Sequence, residues 1–247
     1  VTHRVALDQL REGLQPLPAE ASRHLCRVLR LGAGDAIVVF DPREHTEADA
    51  VIADASGPVA HIVVGSLRPA SVTATRTLAL VYALAKGDKV DLVVQDATEL
   101  GATHIFIARS ERCVVKLDAV RAQTKHVRWR RIAEQAARQC GRGDPPAIEA
   151  VLDWPEALAR AAAVTRFRFC LWEKAISPLG PSLLRAIEHD KASVAFAVGP
   201  EGGLSPADIA EAEREGYATA SLGPLILRTE TVAAAVLGAL RIFGSTP

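Results

Sequence analysis

The chain contains no methionine at all, so its numbering need not begin at the natural start. It also lacks any run near the roughly 18 consecutive apolar residues that cross a bilayer. Its first stretch, "VTHRVALDQLREG", has no signal-peptide core, which predicts a cytoplasmic protein with no membrane partner. Cys26, Cys113, Cys140 and Cys170 form no C-x-x-C pair, and no histidine stands near them at zinc spacing. That pattern argues against a structural zinc or a disulfide framework and for four small thiols in a reducing compartment. A charge excess is missing as well: 29 basic residues face 29 acidic ones in 247 residues. Any contact with nucleic acid must therefore be made by a local cluster rather than by the overall field.

What is present reads as two regions. Up to about residue 70 the chain offers short β-branched runs, "DAIVVFD", "EADAVIAD" and "PVAHIVVGSL". Turn formers such as Gly32 to Asp35 and Ser56-Gly57-Pro58 separate them, a pattern that predicts a small antiparallel barrel. Residues 67–77 read as a linker. From there the period changes. "TLALVYAL", "HIFIAR", "RFRFCLWE", "SVAFAVG" and "ATASLG" read as strands. Helices are expected over the "KVDLVVQDATELGA" stretch, over 121–140, over 206–215 and over 229–243. Alternation of this kind predicts a mostly parallel sheet with helices on both faces. The fold class is thus α/β, with domains at 1–70 and 71–247.

The stretch "SVAFAVGPEGGLSPADIAEAE", 193–213, ends a buried strand in a glycine loop. Ser205 reads as the N-cap of the next helix, Pro206 suits its first position, and Asp208 completes the capping pattern. A tight strand-to-helix turn alone would also ask for such glycines. The loop matches neither G-x-x-x-x-G-K-[ST] nor G-x-G-x-x-G, and Glu201 stands where a phosphate would be repelled. A neutral or cationic ligand suits it better. A sister loop follows the next strand in "SLGPLILRTETVAAAVLGAL", 221–240, where Pro224 to Leu227 form an apolar wall and Thr229 or Thr231 can cap the helix. Two such loops at adjacent strand ends make a cleft for a planar, uncharged ring. Adenine with a sulfonium tail fits that cleft better than a dinucleotide.

"AVGPEGGLSPAD" together with "LGPLILRTETV" resembles the RsmE family of ribosomal RNA methyltransferases, within the SPOUT superfamily. The resemblance extends in order through "HRVALDQL", "HLCRVLRLGAGDAIVVFD", "LAKGDKVDLVVQDATELGATHI", "SERCVV" and "RWRRIAEQAARQCGR". It implies a small N-terminal PUA-like β-barrel and a C-terminal SPOUT α/β domain with a trefoil knot, acting as a homodimer. It also implies S-adenosyl-L-methionine as methyl donor, no metal, and methylation of N3 of one uridine in 16S rRNA on the 30S subunit.

The family motifs carry Gly199, Pro200, Glu201 and Gly202 as cofactor residues in the first loop. Leu222, Gly223, Ile226 and Leu227 follow in the second. Leu171, Trp172 and Glu173 end the preceding strand and are candidates for the third side, with Trp172 equally readable as a core residue. Uridine N3 is a poor nucleophile until its proton leaves, so the site must stabilise an anion on the uracil. Arg228 is the candidate for that task, permanently cationic beside the cofactor loop. Glu230 either orients Arg228, takes the proton, or serves only as a helix-start acid.

For RNA, Arg128, Arg131, Arg138 and Arg142 fall at helical spacing on one stripe. Without the resemblance that stripe reads as a solvated face; with it, Arg138 and Arg142 become phosphate contacts. Arg23, Arg27 and Arg30 form a weaker basic group, and Glu99 reads either as a helix-end carboxylate or as an RNA contact. The chain departs from the family pattern at Leu225, which puts one RNA or substrate contact in doubt, and also at Asp96, Cys113 and Cys140. A ribose 2′-O-methyltransferase and a non-catalytic RNA-binding assembly protein are the alternatives. A nicotinamide enzyme is disfavoured by the missing fingerprint.

Overall fold

The computed structural model describes residues 3–188 and 192–244. The chain separates into two compact units, residues 1–73 with 137–145, and residues 74–136 with 146–247.

In the first unit the strands are β1 (Arg4–Ala6), β2 (Gly13–Pro16), β3 (Ala36–Asp41), β4 (Thr46–Asp54), β5 (His61–Val64) and β6 (Arg68–Pro69). They form one sheet in the order β1-β3-β4-β5-β2, with β6 added to β4. Every pairing is antiparallel except β1 with β3, which is parallel, so the expected all-antiparallel barrel is corrected at its first strand. Along β4, Ala48, Ala50 and Ile52 point into the core while Asp49 and Val51 point out, the alternation a half-buried strand requires. Glu47 is buried too. Arg4 donates to it at 2.8 Å, Arg68 at 3.1 Å and Ser71 at 3.0 Å. Burial alone would raise its carboxyl, but the Ser71 and Arg4 hydrogen bonds outweigh that and lower it to about 2. The supposed linker at 67–77 therefore starts as part of this sheet.

Between β2 and β3 lie a short helix α1 (Ala19–Ser22) and a π-helical segment at Arg23–Val28. The wide turn is visible in the Leu29 amide donating to the His24 carbonyl at 3.0 Å. Arg30 follows with φ of 59°, an uncommon conformation for a side chain with a Cβ.

The second unit runs β7 (Leu78–Ala83), α2 (Lys89–Glu99), β8 (His104–Arg109), α3 (Ala119–Cys140), β9 (Ala147–Ile148), β10 (Leu152–Asp153) and α4 (Trp154–Val164). It continues with β11 (Phe167–Leu171), α5 (Leu179–Glu188), β12 (Val194–Val198), α6 (Pro206–Arg214), β13 (Ala218–Ala220) and α7 (Thr229–Gly244). The last turn of α3 belongs to the first unit. The sheet order is β10-β8-β7-β12-β11-β13, with β9 beside β8, and all its pairs are parallel.

Strand β7 shows why the sheet is covered on both faces. Leu78, Leu80 and Tyr82 enter one core with α2, Trp129 and the α7 residues Ala233, Val236 and Leu237. Ala79, Val81 and Ala83 enter the other with Trp154, Leu158, Ile209 and Tyr217. Fully buried residues on both faces give the unbroken apolar runs seen in the sequence. α4 and α5 are absent from the sequence reading. Cys140, expected on the apolar face of α3, is exposed. Among the described residues no helix is long and apolar enough to cross a membrane.

Candidate cofactor and substrate site

Four strands end in register. Tyr82 lies beside Val198, Val198 beside Leu171, and Leu171 beside Ala220. The connections leaving β11, β12 and β13 open on the same edge and enclose a cavity of about 430 Å³. It sits where ligands bind in open α/β sheets, outside the carboxyl ends of the strands. Leu171, Trp172 and Glu173 form one wall, Gly199, Pro200, Glu201 and Gly202 a second, and Leu222, Gly223, Ile226 and Leu227 a third. The structure thus brings together every residue expected to hold the cofactor. Trp172 does both of the things read from it, lining the cavity while packing against the core around Trp154.

The first loop is fixed from several directions. The Gly203 amide closes the turn on the Pro200 carbonyl at 2.9 Å. A Cβ at Gly199 would sit 2.7 Å from Cγ of Leu204, so any larger residue there must displace that side chain. Downstream, the Asp208 amide donates to the Ser205 hydroxyl at 3.1 Å, and the Ser205 amide donates to the Asp208 carboxylate at 3.0 Å. This is the expected capping box, and Asp208 also accepts the Glu111 amide at 3.2 Å. Arg112, missed in the sequence, donates to the Gly202 carbonyl at 3.4 Å.

Lys89 is the larger omission. It is the first residue of α2 and lines the cavity. Its ammonium lies 3.2 Å from Glu201 and 3.4 Å from Glu230. Glu201 also accepts the Lys86 amide at 3.1 Å. Burial would raise both carboxyls, but hydrogen bonds from backbone amides and from Lys89 overcome it and hold both below the ordinary carboxylate value. The Thr229 hydroxyl donates to Glu230 at 3.2 Å and bonds the Tyr82 phenol at 2.8 Å. Burial pushes that phenol up to about 12.

Arg228 lines the cavity, is exposed, and has no carboxylate partner among the described residues. Its carbonyl accepts the Val232 amide at 2.9 Å and so opens α7. Glu230 lies outside the cavity lining and pairs with Lys89, which corrects the expectation that it orients Arg228. Its depressed pKa also makes it a weak base. Leu225 and Ile226 stand 74% and 88% exposed on the second loop.

The basic stripe of α3 is largely spent inside the protein. Arg128 reaches the buried Asp91 carboxylate at 2.5 Å, the same group that accepts the Trp129 indole N–H at 2.9 Å. Arg138 pairs with Asp8. Arg142 is only 5% exposed and lies 3.0 Å from Asp144. Of the two expected to meet phosphate, Arg142 is buried against Asp144 two residues on, and Arg138 is half-buried and held by Asp8 from the far end of the sequence. Arg131 stays exposed without a carboxylate partner among the described residues. Arg23 and Arg27 on the π-helical segment and Arg30 just after it are exposed, and Arg23 and Arg27 flank a shallow depression with Glu20 and Pro58. Among the described residues no group of three or more His, Cys, Asp or Glu is placed to hold a metal ion.

Comparison with known proteins bears on this site. Residues 73–241 match the family model of an RNA methyltransferase domain, and residues 17–64 match that of an RNA methyltransferase PUA domain. The ribosomal RNA small subunit methyltransferase E of Bacillus subtilis is 31% identical over 230 residues, covering 91% of this chain and 88% of its own. The protein of the same name from Synechocystis is 30% identical over 239 residues, covering 96% and 76%. Among solved structures, a ribosomal RNA small subunit methyltransferase E from Neisseria gonorrhoeae bound to S-adenosyl methionine superposes with a TM-score of 0.75. It is 28% identical, over 98% of both chains.

Proposed function

The chain belongs to the ribosomal RNA small subunit methyltransferase E family, and from that premise we propose that it transfers a methyl group from S-adenosyl-L-methionine to N3 of a uridine in 16S rRNA of the 30S subunit. The observation that carries the proposal is the gathering of all the expected cofactor residues around one cavity of about 430 Å³ at the strand ends. The lining suits the cofactor. Gly199 and Gly202 bring bare backbone to the wall where a Cβ would meet Leu204 or Arg112. Leu171, Leu222, Ile226 and Leu227 supply the apolar sides that a planar ring needs.

The cofactor supplies an electrophilic methyl group on a cationic sulfur. The chain must bind it, admit the uracil, and lower the cost of charge on the base. Arg228, at the cavity edge and without a carboxylate partner among the described residues, faces the uracil carbonyl as N3 loses its proton to solvent, and stabilises the resulting anion. Glu230, ionised and held by Lys89 and Thr229, organises the wall rather than accepting that proton.

RNA is assigned to the first unit and to the exposed Arg23, Arg27, Arg30 and Arg131, which have no carboxylate partner among the described residues and can neutralise phosphates. A homodimer is part of the same reading. It is supported by the apolar side chains of Ile176, Leu225, Ile226, Ile242 and Phe243, all left exposed in a single chain. Equilibrium sedimentation of a monomer at micromolar concentration would remove this part. The knot is inferred from the way the chain leaves β13. Ser221 pairs with Pro178 in the connection between β11 and α5, and α7 then packs against α2 and α5. The ribosomal substrate places the enzyme in the cytoplasm.

The test uses labelled S-adenosylmethionine and small subunits from cells lacking the modification, followed by digestion to nucleosides. Label in 3-methyluridine is expected. Label in a ribose methyl would replace the base reaction with 2′-O-methylation, and absence of both transfer and cofactor binding would return the chain to a non-catalytic RNA-binding role.

A further inference from the structure

We propose that Lys89 is a positioning residue that couples the two cofactor loops and sets the charge of the wall between them. The inference rests on the cavity being the cofactor site. Lys89 belongs to neither loop; it comes from the start of α2. Yet its ammonium is within 3.2 Å of Glu201 on the first loop and within 3.4 Å of Glu230 at the start of α7. Each carboxylate is fixed by a second donor, the Lys86 amide for Glu201 and the Thr229 hydroxyl for Glu230. Thr229 is tied in turn to the buried Tyr82 on β7. One side chain therefore bridges α2, the glycine loop and α7, and the position of either loop reports to the other.

The charges explain why a cation is needed there. Two carboxylates facing one point repel each other, and Lys89 neutralises one of the two charges. The cluster of Lys89, Glu201 and Glu230, the last of which stands outside the lining, is left with a single net negative charge. Without Lys89 it would carry two, which favours a cationic sulfur over a neutral one and drives the loops apart. S-adenosylmethionine and S-adenosylhomocysteine differ at sulfur by a methyl group and that charge, so together they read both effects.

The experiment measures calorimetric affinities of both compounds at pH 8 for the wild type, Lys89→Met and Lys89→Arg, with thermal melts as a check on folding. For Lys89→Met, S-adenosylhomocysteine affinity is expected to fall about tenfold or more, while the preference for S-adenosylmethionine rises about threefold or more. Lys89→Arg, keeping the charge, is expected to restore both to within about threefold of the wild type. Should Lys89→Met poorly fold, Glu201→Gln removes one arm of the bridge and must weaken S-adenosylhomocysteine binding in its place. Wild-type affinities in Lys89→Met would overturn the inference, and so would equal loss of both compounds with no rescue by arginine. A wild type that binds neither compound would instead overturn the cofactor reading beneath it.

Discussion

Gly199-Pro200 and Gly223-Pro224 each follow a central or edge strand of the same parallel sheet, and each faces the same cavity. Beyond that they diverge. Gly199 and Pro200 are buried, the turn after them is closed on Gly203, and a capping box, Glu111, Arg112 and Lys89 hold its surroundings. Residues 222–226 are exposed, and the space around Gly223 is open. The first loop is a finished cradle whose ordering was completed on folding. The second keeps apolar side chains in water and gains burial only when something covers it. An occupant that covers the second loop would gain that burial, and the proposed contact of Arg228 with the acceptor base lies beside it.

The contrast can be broken most severely at Arg228. Arg228→Ala is expected to lower kcat about 100-fold or more, as loss of a charge-stabilising group does, with cofactor affinity within about twofold of the wild type. Unchanged turnover on small subunits would remove Arg228 from the chemistry. Next comes Gly199→Ala. Its Cβ must displace Leu204 from 2.7 Å, so S-adenosylhomocysteine affinity should drop about tenfold or more, the outcome of overpacking a fixed wall. Gly223→Ala meets no atom within 4 Å and suffers only from its φ of 103°, giving a loss of about threefold. Equal losses at the two glycines would show that the loops are equally rigid.

The smallest effect is that of pH. Glu201 and Glu230 are held below the ordinary carboxylate value of 4.5, so their contribution is complete above that pH and is lost as pH falls through their depressed values. Cofactor affinity should change less than about twofold between pH 8 and 5.5 and weaken only below 4.5. A midpoint near pH 6 would mean that Lys89 does not hold these acids.

Local signals carried most of the site. Gly199 to Gly203, the Ser205 and Asp208 cap, and the Gly-Pro-apolar run of the second loop are written in consecutive residues, and the family resemblance joined them. The Lys89 bridge was invisible because its partners lie on other elements far along the chain, and "KGDKVD" reads as nothing more than a polar helix start. The same holds for Arg138, whose place on α3 says nothing of Asp8, whereas Arg142 lies just past the helix end and is buried beside its near neighbour Asp144. In the first unit, β-branched runs identified β3, β4 and β5. The parallel pairing of β1 and the π-helical segment depend on contacts that no period encodes. Pro155 in the first turn of α4 is a helix-start signal that consecutive residues do carry.

The row Tyr82, Val198, Leu171, Ala220 has one more consequence, for the order in which the protein is made. Its members are laid side by side in space but emerge from the ribosome far apart in time. The last of them, with the loop and helix behind it, emerges after all the others. A nascent chain that has not yet released residues 221–232 lacks one whole wall of the cavity, however well β7 to β12 have folded. Methyl donor is therefore captured only after residues 221–232 have left the ribosome.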